Sequence, residues 1–110
     1  MLAGSALVAA PAFLRQGMAA TPIKIGIPTV ITGGYAILGS QVMRTCRLVK
    51  KMTDAKGGVI GRPIEFLFQD TQGDPAMCVR KSQELVERDN CRILTGVIVS
   101  SEAAAMLPKL

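Results

Sequence analysis

The chain reads as an α/β protein built on a doubly wound parallel sheet, and two observations predict this. Strand and helix patterns alternate from residue 23 onward as β-α-β-α-β-α, an order that calls for parallel strands joined by right-handed crossovers. The last strand pattern, Ile93 to Val99, is an apolar, β-branched run interrupted only by Thr95 and Gly96. Such a run suits a strand buried on both faces, as in a parallel sheet.

Residues 1–20 stand apart from this pattern. Leu2 to Leu14 is apolar, helix-competent and shorter than a bilayer-spanning segment needs. Arg15-Gln16-Gly17 comes next, then Met18-Ala19-Ala20, a small-residue exit of the kind signal peptidase cuts. Residues 1–20 therefore read as an export signal peptide whose basic start is missing, with a mature unit over 21–110 in the periplasm. The run Leu2-Ala-Gly-Ser-Ala6 is also similar to the segment just after the paired arginines of twin-arginine export signals.

The elements then come in order. Ile23-Lys-Ile-Gly-Ile27 alternates as a first strand, and Thr29 to Ser40 is a loop rich in Gly, Thr and Ser. A helix runs to about Lys56, with Val42, Cys46, Val49 and Met52 on one stripe and Arg44, Arg47, Lys50 and Lys51 opposite. Gly57-Gly58 supplies its left-handed exit. Ile64-Glu-Phe-Leu-Phe68 is a second strand after the turn at Gly61-Arg62-Pro63. Asp74-Pro75 opens a second helix, with aspartate at the cap and proline in the first turn. Val79, Ser82, Leu85 and Val86 mark its inner face, and it ends near Asp89. After the third strand, Ser100, Ser101 and Glu102 lead into an alanine-rich helix to Leu110. Three strands leave apolar faces open and this last helix has no cap, so the expectation is an amino-terminal part of a longer protein.

Composition removes several function classes. The net charge of +5 is scattered, there is no tryptophan, and no basic cluster exceeds two residues, which argues against nucleic acid. The absence of histidine removes the commonest general base and the commonest zinc ligand. Gly34 to Gly39 has the glycine spacing of a phosphate-binding loop, but Ser40 stands where the loop's lysine is required. No nucleophile–base pair or metal-ligand cluster stands out, and no cofactor is expected. Asp70 and Asp74 read as turn and helix-cap residues. The candidate site is the end of the third strand. A serine there either caps the helix through its side chain or, with the helix's unpaired N–H groups, receives an anionic ligand.

Ile23-Lys-Ile-Gly26, Thr32-Gly-Gly-Tyr-Ala-Ile-Leu-Gly39, Ala55-Lys-Gly-Gly-Val-Ile-Gly-Arg-Pro-Ile-Glu65, Gln69-Asp70 and Gly73-Asp74-Pro75 together resemble the opening of type I periplasmic solute-binding proteins. The family is the leucine/isoleucine/valine-binding one. The resemblance implies a strand order of 2-1-3 in an incomplete first lobe of a two-lobe protein that closes on a solute for an ABC importer. It implies no catalysis. It further implies a small solute (an amino acid, an amide or a urea-like molecule), the importer's membrane subunits as partners, no nucleic acid, and a monomer at full length. Ligands in such sheets bind where the strand order reverses, between strands 1 and 3. By resemblance Ser100 occupies the position that holds the ligand's α-carboxylate, with Ser101, Ile98 and Val99 beside it. Leu38 stands where relatives often place an aromatic residue over the ligand, and Tyr35 either stacks on the ligand or covers the loop. A ligand-sensing receptor or regulator of the same fold is the second reading, and an enzyme on this sheet the third.

Three cysteines, Cys46, Cys78 and Cys91, stand in an exported chain. Cys78 and Cys91 lie some 20 Å apart at helical rise, roughly three times the reach of a disulfide. Helices 1 and 2 belong on opposite faces of the sheet, which separates Cys46 from Cys78. By resemblance, the disulfide of branched-chain amino-acid binders would fall at Gly73 and Val99, which cannot form it. The thiols should be free and mostly buried. Non-reducing mass spectrometry should find no disulfide, and a bond between any two of the three would contradict the topology.

Overall fold

A computed structural model describes residues 21–110; the expected export signal, residues 1–20, lies outside them. The elements are β1 (Ile23–Thr29), α1 (Ala36–Ala55), β2 (Ile64–Asp70), α2 (Pro75–Glu87), β3 (Ile93–Leu94), α3 (Ser100–Met106) and a 3-10 turn (Leu107–Lys109). The sheet has the order β2-β1-β3, with both pairings parallel. Among the described residues no helix is long and apolar enough to cross a membrane.

β1 is the centre of this sheet, and its backbone groups alternate between neighbours. Ile23 donates to the Pro63 carbonyl and Thr29 accepts from Thr71 on the β2 side, while Gly26 accepts from Thr95 on the β3 side. Side chains alternate likewise. At Gly26 an added methyl would lie 3.0 Å from Leu85 Cδ1 of α2, whereas Ile27 turns to the α1 face. Ile27, Val30, Cys78, Leu85 and Cys91 form the most deeply buried apolar set.

The third strand is far shorter than the expected Ile93–Val99, because pairing with β1 stops at Leu94. Pro28 is the next β1 residue facing β3, and proline has no N–H to donate the following rung. Gly96 then adopts φ +86, which carries the chain out of the strand. Packing requires glycine there as well, since an added methyl would lie 2.8 Å from Ile27 Cγ2 and 3.3 Å from Val42 Cγ1.

α1 starts at Ala36, so Leu38 and Gly39 are helical and not part of the loop expected to run to Ser40. Gly39 is where α1 crosses the end of β1, and any side chain there would overlap the Val30 carbonyl. The helix ends as its glycines dictate. Gly57 has φ +88, its N–H reaches Asp54, and the Gly58 N–H reaches Thr53 at 2.9 Å, the paired bonds of a Schellman exit. Of the expected apolar stripe, Cys46 is buried, but Val49 is 40% and Met52 54% exposed. α2 begins as read, with the Asp74 carboxylate accepting from the Ala76 N–H at 3.0 Å and Pro75 in the first turn.

A two-residue hairpin joins α1 to β2. Val59 and Arg62 exchange both backbone bonds, at 2.7 and 3.0 Å, with Ile60 at φ 53 and Gly61 at φ 73. Two positive φ values make this the turn that favours Asn-Gly. A β-branched residue is costly in that conformation, and Ile60 is 95% exposed, so it gains no packing in return. Ile60→Asn should therefore stabilise the full-length protein by about 1 kcal/mol. An equal or lower melting temperature in the variant would show that the turn carries no strain.

Candidate functional site

The carboxyl edge of the sheet is assembled around Asp70, the last residue of β2. Its carboxylate accepts from the N–H of Ile31 at 2.9 Å, of Thr32 at 3.2 Å and of Gln72 at 3.0 Å, and from the Thr32 hydroxyl at 2.6 Å. The loop after β1 is thereby clasped to the end of β2. Burial alone would raise this carboxyl's pKa, but the Thr32 hydroxyl and the three N–H donors outweigh it and hold the pKa below its ordinary value.

The expected site residues are distributed along this edge. Tyr35 is the N-cap residue of α1 and is 54% exposed. A methyl at Gly73 would lie 3.9 Å from its Cδ2, so the ring leans over the β2–α2 turn. Leu38 and Ile98 come together on the other side, on opposite walls of a groove of about 440 Å³ between α1 and the segment after β3. Val42, Cys46, Thr95 and Gly96 also line it. Burial pushes the Cys46 thiol pKa up, which keeps it a neutral, weakly nucleophilic wall.

Val99 is half-buried and serves as the N-cap of α3, with φ −88 and ψ 123. Its carbonyl accepts from the N–H groups of Glu102 at 3.0 Å and Ala103 at 3.2 Å. Ser100 and Ser101 are the first two helical residues, both exposed. The helix has no side-chain cap bond, so the capping role for serine is not taken up. Two exposed hydroxyls instead stand beside the N–H groups of Ser100 and Ser101, which precede the first intrahelical bond, the one from the Glu102 N–H to Val99. Glu102 turns inward and is fully buried. Among the described residues no three of His, Cys, Asp or Glu converge as metal ligands.

Sequence reasoning missed the Asp70 clasp and the groove's Thr95–Gly96 wall. The aspartate could be read as a turn residue but not as the partner of a loop 38 residues earlier. For the groove, Pro28 in the central strand and Gly96 in the last one were the available signals.

Known proteins place these features in context. A family profile described as periplasmic binding protein matches residues 22–110. A Leu/Ile/Val-binding protein of Rhizobium johnstonii is 30% identical over 97 residues, covering 88% of this chain and 26% of that protein. The branched-chain amino acid transporter substrate-binding protein LivJ of Streptococcus pneumoniae, solved with isoleucine, superposes with a TM-score of 0.76 at 25% identity. The match covers 81% of this chain and 26% of LivJ. An ABC-transporter solute-binding protein of Rhodopseudomonas palustris, solved with 3,4-dihydroxybenzoic acid, gives 0.72 at 29% identity, over 79% of this chain and 23% of that one. The chain thus spans about a quarter of the length of these relatives.

The clasp makes a pH prediction. A carboxyl whose folded pKa is lowered contributes stability above its ordinary pKa of about 3.9 and loses it as pH falls through the folded value. In the full-length protein, Asp70→Ala should cost about 1–2 kcal/mol at pH 7, as lost caps do. The difference from wild type should begin to narrow as pH falls below about 4 and close only below the lowered folded pKa. Melting curves of both proteins from pH 7 to pH 3 check this, and a pH-independent gap would rule the clasp out.

Proposed function

The chain belongs to the periplasmic binding protein family, and on that footing we propose that it forms part of the extracytoplasmic solute-binding component of an ABC importer. Members of this family are solute-binding proteins and not enzymes. The proposed solutes are branched-chain amino acids or related small amino acids, amides or urea. The proposed location is the periplasm, reached through the amino-terminal signal peptide. The membrane subunits of the importer are the proposed partners of a monomeric full-length protein.

One observation carries this reading. Ser100 and Ser101 stand exposed at the start of α3, beyond the carboxyl ends of the adjacent strands β1 and β3, which is where ligands of open α/β sheets bind. Isoleucine and 3,4-dihydroxybenzoic acid, the ligands of the two solved relatives, share a carboxylate. Hydroxyls and first-turn N–H groups suit such a group. In the proposed arrangement the Ser100 hydroxyl and the backbone N–H near Ser101 donate to the ligand carboxylate or amide oxygen. Val99 and Ile98 wall it, and Leu38 faces it from α1. Tyr35, on the β2 side, either stacks on the ligand or covers the loop.

A hydrogen bond to a charged group contributes about 1.5–3 kcal/mol, so Ser100→Ala in the full-length protein should weaken binding at least tenfold. Its melting temperature should hold, because no cap bond is lost. Isothermal titration with branched-chain amino acids, small amides and urea, beside thermal melts, makes the measurement. Unchanged affinity for the solute that wild type binds would remove Ser100 from the site.

A further inference from the structure

The amino ends of the three strands border a cavity of about 400 Å³. Thr21 and Pro22 line it ahead of β1, Lys24 within β1, Arg62 ahead of β2, and Asn90 and Arg92 ahead of β3. The lining thus holds three cations and no acid. The ion pairs among the described residues are Lys50–Asp54, Lys81–Glu84, Arg88–Glu84 and Arg88–Asp89, so none of the three cations has a carboxylate partner there. The nearby acids do not supply one. Asp89 is held by Arg88, at 3.0 Å from both Nε and Nη2, and Glu65, the β2 register partner of Lys24, does not border the cavity. Two of the cations are instead fixed by neutral acceptors. Arg62 donates from Nε to the Thr21 carbonyl at 2.9 Å and from Nη2 to the Pro22 carbonyl at 3.4 Å. Lys24 Nζ donates to the Asp89 carbonyl at 3.3 Å. A guanidinium carries five N–H donors and an ammonium three, so both keep donors to spare.

We propose that this cavity at the amino edge of the sheet is an anion site that takes the phosphate group of a phosphomonoester. Arg62, Lys24 and Arg92 are its cationic donors.

Charge, arrangement and size each support the assignment. Like charges around one void repel, and an anion between them removes that cost. The order β2-β1-β3 brings Arg62, Lys24 and Arg92 to the cavity from three adjacent strands. A carboxylate offers two oxygens in one plane, whereas a phosphomonoester offers three acceptor oxygens and nearly two charges. Arginine matches phosphate with its planar fork and lysine with a point charge. The volume exceeds that of a bare phosphate and is in the range of small-molecule sites, so the organic part of an ester has room. Ile93, 48% exposed, and Pro22 give that part an apolar border. Carbonyl capping is the competing account, because α1 and α2 both end at this edge and helix carboxyl ends attract cations. It explains the bond from Lys24 to Asp89, but Arg62 bonds carbonyls that belong to no helix. β1 has seven residues at a rise of about 3.3 Å, which puts the cavity about 20 Å from the carboxyl edge.

The test titrates full-length protein with glycerol phosphate by calorimetry, at constant ionic strength balanced with sodium chloride. One equivalent should bind saturably. Arg62→Gln and Arg92→Gln should each weaken it about fivefold or more, as the loss of a charge-assisted contact does. Arg92 is exposed, so its variant keeps the test decisive if Arg62→Gln does not fold. The double variant Arg44→Gln/Arg47→Gln removes two exposed charges from α1 and should bind as wild type does. Soluble esters and lipid headgroups both present a phosphomonoester, and sedimentation with vesicles of phosphatidic acid in phosphatidylcholine separates them. Pelleting that Arg92→Gln abolishes identifies a lipid headgroup as the source. Pelleting that is absent, or that survives Arg92→Gln, identifies a soluble ester. The proposal fails if wild type shows no saturable binding of glycerol phosphate, or if Arg92→Gln binds it as tightly as wild type. It fails equally if the α1 double variant loses as much affinity as Arg92→Gln. None of these outcomes depends on which solute the carboxyl edge binds.

Discussion

The central strand runs out of hydrogen-bond donors on one side before it ends on the other, and the shape of the carboxyl edge is a consequence. β1 pairs with β2 along its whole length but with β3 at only two positions, because Pro28 has no N–H to offer the third. Freed at Thr95, the chain turns through Gly96 and approaches α3 as an irregular segment. That release leaves a groove against α1 with Ile98 on one wall and Leu38 on the other. It also puts Val99, and not a serine, at the N-cap. A fully paired third strand would have filled this space with backbone.

The other side of the edge is held by a single carboxylate. Asp70 gathers three N–H groups and one hydroxyl from two different turns. The loop after β1 therefore has a defined course although it carries two glycines and lies mostly exposed. The close crossing of α1 at Gly39 over the Val30 carbonyl then sets where Tyr35 and Leu38 emerge. The two side chains leave one helix start in different directions, Tyr35 toward the β2–α2 turn and Leu38 toward the β3 side.

The α2–α3 seam is a different environment. It is packed from small and sulfur-bearing side chains and yet contains a carboxylate without a hydrogen-bond partner among the described residues. Glu102 comes directly after Ser101, so one short helix presents two exposed hydroxyls at its start and buries an acid one residue later.

Much of this was legible in the sequence, since caps, turns and chain reversals are local chemistry. Asp74-Pro75 specified the start of α2 by a side chain reaching two residues on, and Gly57-Gly58 specified the end of α1 by a conformation that favours glycine. The alternation of strand and helix patterns called for the parallel sheet, and the family resemblance of the loops and turns supplied the order β2-β1-β3 that the structure has. The rest was settled by contacts between distant residues, for which a periodic pattern carries no signal. β3 ends where it does because of a proline in another strand. Val49 and Met52 remain 40% and 54% exposed although they continue the apolar stripe of Cys46. Asp70 becomes a clasp only once β1 and β2 are side by side, and Cys78 meets Met106 across 28 residues only when both helices pack on one face of the sheet. Local propensity decides which segments form elements, but the site depends on which elements touch, and that is decided by burial and backbone hydrogen bonding over the whole fold.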